Sequence, residues 1–309
     1  MALIRHGLSQ YQCGSLAILF ASVLWGTTGT VASLAPNISP LAIGAFAMGV
    51  GGVIQAVLAY QALTLNLAKL LKHKRMLLLS AVALAVYPLA FYSAMRLAGV
   101  AVGTVVSIAS APLFAALLER LLSKQYNLTR RWVVGVIIGL TGIGMLAYGE
   151  PHLSEVPLAE QIRQEQQLWG VGLGFVAGLT YAFYSWAART LIDKGVQSQA
   201  AMGSIFGLGA LLLLPTLAFT GDNLFSSTGN IIVSLYMAMI PMALGYMAFG
   251  FGLRHIKASS ASLLTLLEPV VAAILAVIIV GEIITPMGWF GMILILFCLC
   301  LQAVQKEPL

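Results

Sequence analysis

Residues 259–282 read SSASLLTLLEPVVAAILAVIIVGE. This is an apolar run of membrane-crossing length, interrupted by one acid, Glu268, and by Pro269 directly after it. A helix starting near Ala258 carries Glu268 about ten residues in. At ~1.5 Å per residue that is ~15 Å, the middle of a ~30 Å hydrocarbon core. An ionised group at that depth costs ~2.5–3.5 kcal/mol. Such a carboxyl must face protein or water, or be protonated.

Composition excludes an ordinary soluble domain. Hydrophobic residues make up 60% of the 309 and charged residues 8%, with a mean hydropathy of +0.96. Soluble domains carry about 25% charged residues. The chain has room for about ten spans of ~20 residues with short connections. The net charge of +6 does not imply nucleic acid, because the basic residues flank apolar runs, where they set orientation. Cys13, Cys298 and Cys300 have neither a disulfide framework nor metal-ligand spacing and read as small apolar fillers. The first apolar run lacks a cleavage signal and extends to span length, so it is expected to be retained.

The expected spans lie near 15–34, 41–63, 76–95, 100–118 and 132–148, then 168–188, 200–219, 231–253, 258–282 and 287–304. Between the two sets, residues 149–167 carry Glu150, Glu155, Glu160 and Glu165 with Pro151 and Pro157, and read as a linker that cannot cross a bilayer. Basic loops follow the second and fourth spans: Lys69, Lys72, Lys74 and Arg75, then Arg120, Lys124, Arg130 and Arg131. Alternating the loops puts fourteen of the sixteen Lys and Arg on one side and leaves Arg96 and Arg163 on the other. The positive-inside rule then places both termini in the cytoplasm and the acidic linker outside.

The halves repeat. Ala111-Pro112-Leu113-Phe114-Ala115-Ala116 aligns with Glu268-Pro269-Val270-Val271-Ala272-Ala273 at an offset of 157, and Trp132 with Trp289 at the same offset. Gly14 through Gly26 aligns with Gly170 through Ala182 at 156. A steady offset marks an internal repeat. Five spans per half is odd, so the second half enters from the opposite face. The expected fold is an all-α membrane protein of about ten transmembrane helices in two inverted five-helix repeats. Inverted repeats with proline-broken helices at matching positions place a transporter's substrate site near the midplane.

These residues resemble the EamA family of the drug/metabolite transporter superfamily along essentially the whole chain. The resemblance is carried by Leu24-Trp25-Gly26-Thr27, by Ala111 through Leu117, by Ala258-Ser259-Ser260-Ala261-Ser262-Leu263-Leu264, by Leu267-Glu268-Pro269-Val270, by Gly281-Glu282 and by Trp289-Phe290-Gly291. One departure is Lys124-Gln125, where the first repeat would carry Gly-Glu. The resemblance implies a first repeat over residues 1–148, a second over 168–309, and a central cavity lined by spans one, three, four, six, eight and nine, with spans five and ten as support. It implies transport of amino acids, other small metabolites or drug-like molecules, commonly outward, in a bacterial inner membrane.

The candidate cavity residues are Trp25, Thr28, Tyr87, Phe91, Ser107, Ser110, Tyr181, Tyr184, Tyr246, Thr265 and Glu268, with Pro112 and Pro269 as helix breaks. Glu268 is a candidate ligand for a proton or an amine. Its structural alternative is an acid hydrogen-bonded at the proline break. Each proline removes the bond to the carbonyl four residues back, those of Ile108 and Thr265. Trp25 and Thr28 share a helix face, as do Tyr181 and Tyr184, and Tyr87 and Phe91. An aromatic cavity suits an amphipathic substrate, although packed or lipid-facing aromatics read the same way in sequence. Ser107, Ser110 and Thr265 line the path or bond between helices. Arg96, Arg189 and Arg254 read as snorkelling anchors, and Glu119 beside Arg120 as an interfacial pair. Gly135/Gly139 and Gly170/Gly174/Gly178 read as close-packing positions or a dimer seam.

No catalytic motif and no nucleotide-binding loop is present, so neither catalysis nor direct ATP coupling is expected. No cofactor or metal is expected. The expected partners are a small-molecule substrate and the lipid bilayer, with the chain as monomer or homodimer and without nucleic acid. A facilitative channel or a non-transporting receptor stands as the alternative function.

Overall fold

In lipid every backbone polar group must be satisfied within the chain, and helices do this segment by segment. The computed structural model describes residues 9–98, 100–123, 129–148, 160–281 and 283–303, and these are helical almost throughout, with no strand among them. In order they form α1 (Gln10–Gly26), α2 (Thr28–Ser33), α3 (Pro40–Leu58), α4 (Tyr60–Lys72), α5 (Lys74–Ala98), α6 (Val100–Leu122), α7 (Arg130–Tyr148) and α8 (Glu160–Asp193). Then come α9 (Ser198–Leu213), a 3₁₀ turn (Leu214–Thr216), α10 (Leu217–Thr220), α11 (Thr228–Met237), a π segment (Ala238–Gly245) and α12 (Tyr246–Gly252). The chain continues through α13 (Ala258–Leu264), α14 (Leu267–Leu275), a second π segment (Ala276–Val280) and α15 (Pro286–Ala303).

Among the described residues, eight helical stretches are long and apolar enough to cross a membrane: 10–32, 40–58, 74–98, 102–122, 165–193, 198–220, 228–252 and 258–279. α15 is apolar but shorter, and α7 is apolar beyond Arg130 and Arg131. α5 and α6 pack along α8, α3 along α9, and α7 along α15. Large apolar side chains such as Val57, Ile137, Ile293 and Phe297 are more than half exposed. In water such a surface would be an aggregation hazard; against acyl chains it is the favoured one.

The glycine spacings are used inside the fold. A Cβ at Gly139 would meet Leu266 and Cys298, one at Gly142 the carbonyl of Gly291, one at Gly174 Val106, and one at Gly178 the Ser107 carbonyl. Cys298 is more than a filler: its S–H donates to the Gly135 carbonyl at 3.0 Å.

Four sequence expectations change. The first basic loop is mostly helix α4, amphipathic, with Ala62, Asn66 and Leu70 buried on one face. Lys69 Nζ donates to the Gly195 carbonyl at 2.7 Å, tying α4 to the connection after α8. The sixth span's helix begins at Glu160, inside the expected linker. Glu119 is not an interfacial partner of Arg120 but is 6% exposed and bonded to Ser259. Arg189 does not snorkel freely: its Nη1 donates to the Leu253 carbonyl at 2.6 Å and its Nη2 lies 2.9 Å from Asp193. Glu282, Lys124, Gln125 and residues 149–159 lie outside the described residues.

Candidate functional site

The quoted stretch does not form one straight helix. α13 ends at Leu264 and α14 restarts at Leu267, which puts Pro269 in a first helical turn, where its missing N–H costs nothing. The Thr265 carbonyl, expected to be left free by Pro269, accepts the Glu268 N–H at 3.0 Å. Pro112, at the matching position of the first half, instead lies inside the unbroken α6. The two prolines are alike in sequence, but only the second sits at a break.

That break turns Glu268 into a small central cavity of about 50 Å³. Its walls are Trp25 and Thr28 from the first span; Gly44, Ala47 and Met48 from α3; Tyr87, Pro88, Phe91 and Tyr92 from α5; Tyr181 from α8; Met242 and Tyr246 from the eighth span; and Glu268. Glu268 is partly exposed to this space, and among the described residues no hydrogen bond or ion pair reaches its carboxyl.

The other walls are fixed by aromatic packing and by backbone irregularity. Tyr87 stacks on Phe91 at 5.8 Å and meets Tyr181 at 5.6 Å. Trp25 lies 4.6 Å from Tyr246 and 5.4 Å from Phe249. Its indole Nε1–H donates to the Pro241 carbonyl at 2.9 Å, inside the first π segment. The neighbouring Met242 carbonyl accepts from Gln55 Nε2 at 3.2 Å. The wide turn at Pro241 thus offers carbonyls to the first two spans, where a regular helix would keep them for itself.

Seven of the eleven proposed cavity residues therefore meet around one space: Trp25, Thr28, Tyr87, Phe91, Tyr181, Tyr246 and Glu268. Tyr184 sits behind them, fully buried, with its hydroxyl 2.8 Å from that of Tyr246. Ser107 and Ser110 do not line the cavity. They bond to the backbone carbonyls of Gly103 and Ser107, on the face of α6 that packs against Gly174 and Gly178 of α8. Thr265 bonds to the Ser262 carbonyl at 2.8 Å at the break. The fourth span thus gives the cavity none of its walls, and α3 supplies three that sequence reasoning missed. The available signal was the run of small residues Gly44, Ala45 and Ala47: a Cβ at Gly44 would collide with the Tyr92 ring. No cluster of metal-ligating side chains occurs among the described residues.

Comparison with known proteins agrees with this architecture. The chain is 31% identical over 295 residues to the uncharacterized transporter YwfM of Bacillus subtilis, covering 95% of this chain and 94% of that one. It is 26% identical to the uncharacterized inner membrane transporter YicL of Salmonella typhimurium, over 95% and 96% of the two chains. A more distant relative, 22% identical over 60% of this chain and 58% of its own, is a probable terminal-alkyne amino-acid exporter of Streptantibioticus cattleyicolor. A crystal structure 19% identical in sequence superposes with a TM-score of 0.73 over 93% of this chain and 95% of that one, which speaks to the fold. The model of the EamA-like transporter family matches residues 12–148 and again 168–303, and the chain belongs to that family.

Proposed function

We propose that this chain moves small amphipathic molecules bearing a cationic amine, amino acids among them, out of the cell by alternating access. The observation that carries the reading is Glu268, a carboxyl without a partner among the described residues, facing a cavity whose walls include Trp25, Tyr87, Phe91, Tyr181 and Tyr246. A carboxylate matches an amine, and aromatic faces match both the cation and an apolar side chain. The relative named as a probable amino-acid exporter supports the same substrate class and direction.

On this reading ten spans form two inverted repeats, residues 1–148 and 168–309, joined by an external linker at 149–167. Both termini are cytoplasmic, and the membrane is a bacterial inner membrane. The repeats rock about the central site and expose it to one face at a time. A cavity of about 50 Å³ is too small for an amino acid, so the conformation described is contracted, and loading requires the aromatic walls to part. The driving force is a proton taken up by Glu268, or the substrate's own gradient.

The test begins with a thermal-shift screen of amino acids, amines and aromatic metabolites, because a ligand of the folded form raises apparent stability. Counterflow of the best ligand in proteoliposomes follows. Saturable counterflow is expected from a carrier. Flux that does not saturate and shows no counterflow is the result expected of a channel, and no flux with intact binding is that of a receptor.

A further inference from the structure

Most polar side chains around the central cavity are already committed. Trp25 gives its Nε1–H to the Pro241 carbonyl, and Thr28 gives its hydroxyl to the Trp25 carbonyl at 2.7 Å. The Tyr246 hydroxyl is paired with that of Tyr184. The Tyr181 hydroxyl is sealed within the protein and has no surface on the cavity. Three groups remain: the Glu268 carboxyl and the hydroxyls of Tyr87 and Tyr92. None of the three makes a hydrogen bond or ion pair among the described residues, and neither hydroxyl is sealed off as that of Tyr181 is.

These groups are held in place. The Tyr87 ring is wedged between Phe91 and Tyr181. The Tyr92 ring meets Phe91 edge-on at 5.4 Å and lies against Gly44. Both tyrosines belong to α5 and Glu268 to α14, and the carboxyl is near enough to act electrostatically on both hydroxyls. No Lys, Arg or His stands among the lining residues, so nothing in the wall competes for this carboxyl. The cavity thus offers one carboxyl and two phenol oxygens, all able to accept.

Aromatic walls alone take organic cations of many kinds, quaternary ammonium groups among them. Free acceptors change that preference. A primary ammonium carries three N–H donors, each methyl group removes one, and a trimethylammonium has none. We infer that the cavity selects a primary ammonium against its N-methylated forms, the three N–H groups going to Glu268 and to the hydroxyl oxygens of Tyr87 and Tyr92. The two tyrosines are then specificity-determining residues. Each keeps its own O–H for an acceptor on the substrate, such as the carboxylate of an amino acid. This rests on the reading above that the cavity binds cationic amines, and it names which amines.

The experiment is a thermal-shift titration of the full chain in mild detergent. The ligands are phenethylamine and its N-methyl, N,N-dimethyl and N,N,N-trimethyl forms, all monocations at neutral pH on one carbon skeleton. Wild type is expected to bind phenethylamine about tenfold or more tightly than the trimethyl form, with the other two between them, because a site built to hydrogen-bond a group rejects the analogue lacking it. Tyr87→Phe and Tyr92→Phe keep the ring and remove one acceptor each. Each should weaken phenethylamine about fivefold, the worth of one hydrogen bond, and leave the trimethyl form unchanged. A merely structural role would shift all four ligands together. Neither variant loses a hydrogen bond among the described residues, so both should unfold without ligand as wild type does, and the wild-type series decides the matter should either fail to fold. Trimethyl binding as tight as that of the primary amine would overturn the inference and leave amine transport standing. Undiminished selectivity in both variants would do the same. Binding of none of the four would overturn the amine reading and this inference with it.

Discussion

Ser259 gives both its backbone N–H and its hydroxyl to the carboxyl of Glu119, at 3.0 and 2.6 Å. The pair joins the end of α6 to the start of α13, across 140 residues and between the two halves of the chain. Helix N-termini leave N–H groups unsatisfied, and Lys257, at the cap position of α13, supplies no side-chain bond. Glu119 fills that role from another helix, with a charge sign that suits the helix dipole.

Replacing Glu119 with alanine is therefore expected to destabilise the protein by about 3 kcal/mol, since hydrogen bonds to a charged group contribute ~1.5–3 kcal/mol. Ser259→Ala removes only the hydroxyl bond and should cost about half as much. The double variant should fall short of the sum, because the two changes delete one shared contact. Thermal unfolding in detergent measures all three. An unchanged melting temperature for Glu119→Ala would remove the contact from any account of how the halves are held together.

The central cavity makes a sharper prediction at Gly44. A methyl group there would displace the Tyr92 ring, which itself forms part of the wall. Gly44→Ala should weaken binding of the substrate found by screening about tenfold or more. Gly29, next to Thr28, has open space where its Cβ would stand. Gly29→Ala is the matched control and should bind as wild type does. Thermal-shift titration of both variants reads the comparison, and equal affinities would place the substrate elsewhere.

Tyr184 and Tyr246 share one hydrogen bond, yet only Tyr246 reaches the cavity. Removing either hydroxyl should cost about 1 kcal/mol of stability, the usual net worth of a hydrogen bond. Tyr184→Phe should otherwise leave affinity intact, whereas Tyr246→Phe should also change it. Affinity lost equally in both would mean that the pair acts as a unit and that Tyr184 is more than support.

Much of the site was legible because depth and helical spacing are sequence properties. The position of Glu268 within its apolar run, and the three-and-four spacing of Trp25, Thr28, Tyr87, Phe91, Tyr181 and Tyr184, follow from counting along the chain. Which helix faces which does not. Ser107 and Ser110 were expected to line the path or bond between helices, but their face meets Gly174 and Gly178 of α8, and small residues on both sides leave no space between the helices. The part played by α3 was hidden because glycine and alanine read as spacing, not chemistry, until a neighbour such as Tyr92 fills the gap. The turn at Pro241 was illegible for another reason: a proline in an apolar run announces a break in hydrogen bonding but not whether a kink, a restart or a π turn repairs it.

The coupling role of Glu268 is testable apart from its binding role. Glu268→Gln keeps the size and polarity of the side chain and removes its titration. The variant should insert and fold as wild type does, because no hydrogen bond or ion pair to the carboxyl is lost among the described residues. If Glu268 carries the coupling proton, uptake into proteoliposomes should lose its response to an imposed pH gradient while counterflow persists. Loss of both would assign the carboxylate to substrate binding. Retention of both, with unchanged pH dependence, would leave Glu268 a structural acid at the break in the ninth span.

Orientation yields the last prediction. Lys69 Nζ meets the Gly195 carbonyl at one end of the bundle, and Asn223 Nδ2 meets the Asn37 carbonyl at 3.2 Å at the other. These contacts fix which loops share an end, but not which end faces the cytoplasm. We propose that the first end, which carries Lys69, Lys72, Lys74, Arg75 and Lys194 where the second carries Asp222, is the cytoplasmic one, as the positive-inside rule expects. A cysteine-free background needs care at Cys298, whose S–H bonds to the Gly135 carbonyl; serine there retains a donor, whereas Cys300 is exposed and Cys13 half-buried. In that background His73→Cys should react with a membrane-impermeant maleimide only after the cells are opened, and Asp222→Cys in intact cells. The reverse pattern would invert the assigned topology and with it the expected direction of export. Labelling of both in intact cells would mean that the two ends are not separated by the membrane at all.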